Sequence, residues 1–401
     1  MKLPKNVEFV LNTLQKEGYE AYVVGGAVRD SVMNKNPKDY DITTKATPLE
    51  IKNIFKKTID TGIEHGTVTV VVDYENIEVT TFRIDGEYEN NRKPKEVTFT
   101  TSLYEDLVRR DFTINALAYN NTVGFVDKFN GLSDIQNKLI RAVGEKERRF
   151  VEDSLRIYRG VRFSCQLNFK IEEETLLAMD SKKNLTTSLS VERIRDEFLK
   201  SLKGDYPKNL ILYQKLDLLK FYDADFSTYF NNNLNEIVNN LQKNIENENY
   251  KEDIVLLSIC FLYYPIEDLD CFFKKFRIKN TDINYVKNII LCYNTICHIN
   301  LSELSDIETR KILCKYKNYI KYAVYLYNLN FPIFDLFKKI ERNLKMPLVI
   351  KDLDINGKDL MALNIKGKDI GTTLEFLLDE VHKNPTINHK SVLIELIQKD
   401  E

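Results

Sequence analysis

Two aspartates one residue apart, Asp39 and Asp41 in KDYDITT, are the residues of this chain best placed to do chemistry together. The two-residue period of a strand over Asp39–Thr43 puts both on one face and Tyr40 on the other. Carboxylates that close repel each other unless a cation lies between them, and their hard oxygens suit a divalent metal ion. In NIEVTTFR the same alternation gives Glu78, Thr80 and Phe82 a common face, which makes Glu78 a candidate third acidic ligand. Upstream, YVVGGAVRD reads as a strand entering a turn at Gly25 and Gly26 that opens a helix, with Arg29 one turn inside. Two residues without a Cβ let a phosphate approach backbone amides at a helix N-terminus, where the dipole favours negative charge.

A second group of reactive side chains lies in EDSLRIYRGVR. On an ideal helical wheel Glu152, Asp153, Arg156 and Arg159 fall within an arc of about 120°, opposite Val151, Leu155 and Tyr158, while Arg162 falls on the apolar side. A carboxylate can only accept hydrogen bonds and a guanidinium can only donate them. An Asp153–Arg156 pair therefore matches a base edge with an amino donor beside a ring-nitrogen acceptor, as in C and A, and rejects U and G. Residues 138–163 carry eight Lys or Arg against four Asp or Glu, within a chain of 58 basic and 60 acidic residues and net charge −2. The balance excludes a uniformly basic coat and points to one local patch for an anionic partner.

The elements that position these groups follow from pattern. The 401 residues imply two to four domains, at about 150 residues each. Nine of the 14 glycines lie before residue 145 and none lies between Asp205 and Asn356, so a glycine-punctuated α/β head precedes a helical remainder. In the head, periodicity predicts a helix over 7–17 ending at Gly18, a strand at 21–24, a short helix at 27–33, a strand at 39–43, and a hairpin of 68–72 and 77–83 turning at 73–76. Beyond Gly144 the 3.6-residue period predicts long helices, broken near Gly204–Pro207, Pro265, Pro332 and Pro347. The Asn-rich stretch 231–249 reads as a surface helix, and the tail after NGKDLMALNIKGKDIG as two amphipathic helices. Six cysteines without paired metal-ligand spacing suggest reduced core thiols. The start, MKLPKNVEFV, lacks the long apolar region of a secretory leader, and the longest apolar run, Ile254–Tyr264, falls short of the roughly 20 residues of a membrane span. A cytoplasmic protein that does not engage a membrane is expected.

Taken together, GGAVRD, DYDI, TGIEHGTVTV, IEVTTFR, RRDFTINALA, IRAVG, RFVEDSLRIYRGVRF and VERIRDEF resemble the class II tRNA nucleotidyltransferases, the CCA-adding enzymes, with bacterial poly(A) polymerases as relatives. The resemblance implies an α+β fold: a nucleotidyltransferase head with a mixed β-sheet (1–140), then an all-helical neck (141–204), body (205–330) and tail (331–401). It implies catalysis by Asp39, Asp41 and Glu78, with Mg²⁺ on Asp39 and Asp41 in a two-metal attack of an RNA 3′-hydroxyl on an NTP. Gly25, Gly26, Arg29, Arg110 and Asp111 would meet triphosphate and ribose, and Asp153, Arg156, Arg159 and Arg162 the base and the rest of the nucleotide. Partners would be the tRNA acceptor end, CTP and ATP; a homodimer is compatible with the sequence. RIDGEYENNRKPKEVTF resembles the mobile loop that CCA- and A-adding members have and CC-only members lack. Lys93 and Lys128 depart from the family's usual residues there and after Asp127. The alternatives are a poly(A) polymerase or A-adding member, and a non-catalytic RNA-binding protein on the same scaffold, against which all three acidic residues being present argues.

Overall fold

The computed structural model describes residues 1–86, 88–89, 93–94, 97–247, 250–298, 304–331 and 334–399. It forms two compact units, Met1–Val238 and Asn239–Glu401.

The first unit is built on a seven-stranded sheet. Its strands are β1 (Ala21–Val24), β2 (Asp41–Thr44), β3 (Thr58–Gly62), β4 (Thr67–Val72), β5 (Glu75–Thr81), β10 (Leu117–Asn120) and β11 (Gly124–Asp127), in the order β11-β10-β1-β2-β5-β4-β3. Strands β6 (Arg83–Asp85) to β9 (Val97–Phe99) form a separate ribbon, with β7 (Tyr88–Glu89) paired to β8 (Lys93–Pro94). Only β2 and β5 run parallel among sheet neighbours, so the sheet is mixed. Alternation buries both faces: Ala21, Val23, Ile42, Val68, Val70, Ile77 and Val79 pack with α1 (Lys5–Lys16) on one side. Tyr22, Val24, Phe82, Leu107 and Ala118 pack on the other. Helix α1 turns Val7, Val10, Leu11 and Leu14 inward and ends before Gly18, whose φ of +87° only glycine adopts freely.

The expected strand over Asp39–Thr43 begins later, at Asp41, so Asp39 sits in the segment leading into it. The hairpin turn is two residues, Asp73 and Tyr74, both with positive φ, as a right-twisted hairpin requires. Phe82 lies beyond the end of β5 and is fully buried against Tyr22 and Val24. It therefore lies on the same side of the sheet as Glu78 and Thr80, as alternation predicts, because Tyr22 and Val24 stand in register, through Thr43 and Asp41, with Thr80 and Glu78. The 83–99 segment, expected to be a mobile loop, is an antiparallel ribbon where it is described; residues 87, 90–92 and 95–96 lie outside the described residues.

Helices α2 (Gly26–Val32), α3 (Pro48–Ile54), α4 (Leu103–Val108) and α5 (Gly131–Gln136) surround the sheet; α6 (Lys146–Glu152), α7 (Leu155–Leu167), α8 (Glu173–Lys182) and α9 (Val191–Leu202) follow. The region expected as one helix over 152–162 is broken at Asp153 and Ser154, with Asp153 in extended conformation. The wheel drawn through it therefore fails at the break. Within α7 alone, Arg156, Arg159 and Arg162 share one arc.

In the second unit, helices Asp253–Cys260, Asn280–His298 and Ile320–Asn330 bury apolar faces, and a separate core around Leu360, Leu377 and Val381 closes the tail. The Asn-rich stretch belongs to helix Ala224–Glu246; residues 248–249 and the break expected at Pro332 lie outside the described residues. All six cysteines are free, but Cys271 and Cys297 are exposed, so only Cys165, Cys260 and Cys292 are buried core thiols. Among the described residues no helix is long and apolar enough to cross a membrane.

Segment 111–116 is pinned from below. Asp127 accepts from the backbone amides of Phe129, Gly131 and Leu132, capping α5, and a Cβ on Gly131 would lie 2.2 Å from the Thr113 carbonyl oxygen. Gly131→Ala is expected to destabilise the first unit by about 1–3 kcal/mol through overpacking, measured by urea unfolding; an unchanged midpoint would contradict this packing.

Candidate active site

The register of the sheet aligns one row of residues across it. Ala118 pairs with Val24, Val24 with Asp41, Asp41 with Glu78, and Glu78 with Thr69. Paired residues project from the same face, so Asp41 and Glu78 stand side by side, and Asp39 joins them from just before β2. The crowding raises the proton affinity of Asp41 and of Glu78. Desolvation raises the pKa of Asp41, Arg110 opposes it and Asp39 adds to it; desolvation, then Asp41 and Asp39, raise that of Glu78. Hard oxygens crowded this way fit a divalent cation. Among the described residues no group of three His, Cys, Asp or Glu side chains is arranged to hold a metal ion, and Glu78 lies beside Asp41 on the same face.

On the other side of Asp41 the chemistry changes sign. Gly25 at the end of β1 has φ +73°, and a Cβ there would meet Arg110 Nη1 at 3.2 Å, so a side chain would be strained and would crowd the guanidinium. Arg110 and Arg109, at the end of α4, converge on Asp106, whose side chain is completely buried: Arg109 donates through Nε and Nη2 (3.0 and 2.8 Å) and Arg110 through Nη2 (3.3 Å). Thr43 Oγ1 also donates to Asp106 (3.3 Å), tying the pair to β2. Burial alone would raise the pKa of Asp106, but the two guanidinium charges reverse this and hold it low.

Asp111 anchors a second relay. Its Oδ2 accepts from Arg159 Nε (2.7 Å) and its Oδ1 from Asn115 Nδ2 (3.1 Å), while Asn115 Oδ1 accepts from Arg29 Nη1 (2.7 Å). Burial opposes ionisation of Asp111, yet Arg159 and Asn115 hold its pKa far below the usual carboxylate range. Arg156 donates to the Arg109 carbonyl (2.8 Å) and to Glu152 (3.2 Å); Asp153 accepts from Arg193 Nη2 (2.9 Å); Arg162 donates to Glu197 (3.1 Å). Helix α7 is thus tied to the end of α4 and to Asp111 through charged hydrogen bonds.

The result is two cavities that share Asp41. One, of about 550 Å³, is lined by Gly25, Gly26, Arg29, Asp41, Arg110, Asp111, Asp153, Arg156, Arg159 and Arg162, together with Arg109, Arg193 and others. Its seven arginines outnumber its three aspartates, which suits a polyphosphate. The second, of about 810 Å³, is lined by Asp39, Asp41 and Glu78 with Thr61, Thr69 and Asn76. Every site residue expected from sequence lines one of the two. Arg162, expected on the apolar side with Leu155 and Tyr158, keeps that phase within α7 and still lines the first cavity, as Leu155 does, with its guanidinium bonded to Glu197. Asp106, Arg193 and Glu197 escaped the sequence reading. Asp106 had a signal, since it lies three and four positions before Arg109 and Arg110 on a helix; Arg193 and Glu197 had none, because their partners are distant in sequence.

Family models match along the whole arrangement: Poly A polymerase head domain over residues 21–141, a probable RNA and SrmB-binding site of polymerase A over 168–222, and a tRNA nucleotidyltransferase domain 2 over 245–397. The CCA-adding enzyme of Lactobacillus johnsonii is 55% identical over 191 residues, spanning about half of either chain (48% of each). That of Ligilactobacillus salivarius is 37% identical over 401 residues, spanning 97% of this chain and 95% of the relative. The chain belongs to the CCA-adding enzyme family of tRNA nucleotidyltransferases. The CCA-adding enzyme of Bacillus stearothermophilus, solved in complex with CTP, superposes with a TM-score of 0.83 at 28% identity, covering 100% of this chain and 98% of that one. The family's fold is also seen at 22% identity in the Thermotoga maritima CCA-adding enzyme complexed with tRNA (TM-score 0.68, covering 100% and 97%).

The two sets of carboxylates act on stability with opposite signs. The folded-state pKa of Asp106 lies below its unfolded value, so its contribution is in place above about pH 4 and is lost as pH falls toward the folded value. Asp41 has a raised folded pKa, so its ionisation costs stability that appears as pH rises. Asp41→Asn is therefore expected to raise the thermal midpoint at pH 7 while Asp106→Asn lowers it, measured by calorimetry from pH 3 to 8; a lowered midpoint for Asp41→Asn would contradict the crowding of the acidic row.

Proposed function

We propose that this chain adds C, C and A to the 3′ end of tRNA from CTP and ATP, releasing pyrophosphate, with no nucleic-acid template. The observation that carries the reading is that Asp41 belongs at once to an arginine-lined cavity and to an acidic one, so a polyphosphate and a metal-assisted nucleophile can meet at one carboxylate.

Gly25 and Gly26 let the triphosphate approach the start of α2, and Arg29, Arg109 and Arg110 neutralise it. Asp39 and Asp41 would hold Mg²⁺, which, in a two-metal arrangement, lowers the pKa of the acceptor hydroxyl and offsets charge on the departing pyrophosphate. Glu78 keeps the local charge negative enough to favour a cation over a second arginine. Asp111, held ionised by Arg159 and Asn115, orients the ribose side and fixes α7 against the head. Asp153 and Arg156 are pre-oriented by Arg193, Glu152 and backbone carbonyls, and their acceptor and donor edges select C and A over U and G. Arg159 and Arg162 complete the nucleotide wall. We further assign residues 1–140 as head, 141–204 as neck, 205–330 as body and 331–401 as tail, the helical remainder contacting tRNA by shape and backbone.

A second reading, A-addition alone, is favoured by the polymerase A descriptions of two matching family models. One experiment separates them: purified protein, Mg²⁺ and tRNA ending at the discriminator base, with CTP and ATP singly and together, resolved nucleotide by nucleotide. Addition of C, C and A is expected; A alone would leave the second reading, and no extension would remove both. Asp39→Ala is expected to abolish addition with tRNA affinity within about twofold, by filter binding. Arg156→Ala should relax discrimination against UTP and GTP by at least about tenfold, read as ratios of kcat/KM; unchanged ratios would remove the Asp153–Arg156 selectivity.

A further inference from the structure

One aromatic ring touches three of the arginines on the wall of the first cavity. The Phe163 ring centroid lies 4.3 Å from the Arg162 guanidinium carbon, 5.3 Å from that of Arg29 and 5.4 Å from that of Arg159. The ring is 4% exposed, and Phe112 meets it edge-on at 5.9 Å and 88°, so its position is set by packing. Each arginine has its own acidic partner on a different element: Asp30 on α2, Asp111 before β10 and Glu197 on α9. None of those carboxylates serves all three; the ring does.

Three guanidinium groups around one point repel one another. Burial, then the charge of Arg159 and, with it, that of Arg29, pull the Arg162 pKa down to about 10. Arg162 Nε is buried without a hydrogen-bond partner, so that guanidinium is held by Glu197 at one end and by the π-face of Phe163 at the other. A ring quadrupole attracts each cation without adding a negative charge that would compete with the ligand.

We propose that Phe163 is a positioning residue for nucleotide binding, gathering Arg29, Arg159 and Arg162 into one cationic wall by cation–π attraction. This rests on the reading that those arginines meet the nucleotide. The arrangement exists before and during transfer, so its loss weakens ground state and transition state alike and appears in KM.

The test replaces Phe163 with 3,4,5-trifluoro- and pentafluorophenylalanine in the full chain by suppression of a nonsense codon; shape is nearly kept while the quadrupole weakens and then reverses. KM for CTP and ATP is expected to rise about threefold and then about tenfold, with kcat within twofold and the thermal midpoint unchanged. Phe163→Leu should match the pentafluoro protein. A flat KM across the series overturns the proposal, as does a midpoint that falls in step with KM. Arg159→Ala and Arg162→Ala run alongside: if they leave KM unchanged, the nucleotide reading fails and takes the ring with it. If they raise KM while the fluorinated series stays flat, the ring alone fails.

Discussion

Repulsion among like charges, and the buried groups that contain it, govern how this site is built. Seven arginines line one cavity, and each of those described above is restrained by a partner that does not itself cross the cavity. Asp106 takes Arg109 and Arg110, the Asp111–Asn115 relay takes Arg159 and Arg29, Glu197 takes Arg162, and Asp153 takes Arg193. A buried carboxylate with two guanidinium partners is strongly favoured only if every oxygen is satisfied, and Asp106 and Asp111 meet that condition with backbone and side-chain donors. The cationic wall is thereby fixed before any ligand arrives, which is the condition under which electrostatic binding costs little reorganisation.

The acidic row is the reverse case. Asp41 and Glu78 are brought together by strand register, and among the described residues no cation is hydrogen-bonded to them; the field of Arg110 opposes the shift at Asp41. Stability is lost where a cation can be gained. The boundary between the two regimes runs through Asp41, the single carboxylate that lines both cavities. Arg156 and Arg159 bond to residues 109 and 111, so α7, which follows directly on the break at Asp153, is held against the segment that also carries Arg110 and Asp111.

Much of this was legible in the chain because the signals were local. β1 begins and ends where its apolar run does, α1 stops two residues before Gly18, and the glycine pair marks the turn into α2. What failed failed for nameable reasons. Asp39 follows Pro37 and a bend, so strand alternation does not reach back to it. The break at Asp153 and Ser154 is invisible to a helical wheel, since neither Gly nor Pro marks it. Asp153 adopts extended backbone and receives Arg193 from α9, a contact no window of sequence contains. The arginines were readable as a set from the resemblance; the carboxylates and the ring that hold them were mostly not.

The central claim is that Asp41 joins a cation site to a polyphosphate site. Mn²⁺ binding followed by electron paramagnetic resonance, with and without a non-hydrolysable CTP analogue, tests it most directly. The account predicts that the analogue tightens Mn²⁺ binding in the native chain, and that the doubly substituted Asp39→Asn, Asp41→Asn protein binds Mn²⁺ weakly whether or not the analogue is present. Equal Mn²⁺ affinity in the two proteins, or no effect of the analogue on the native one, would contradict it.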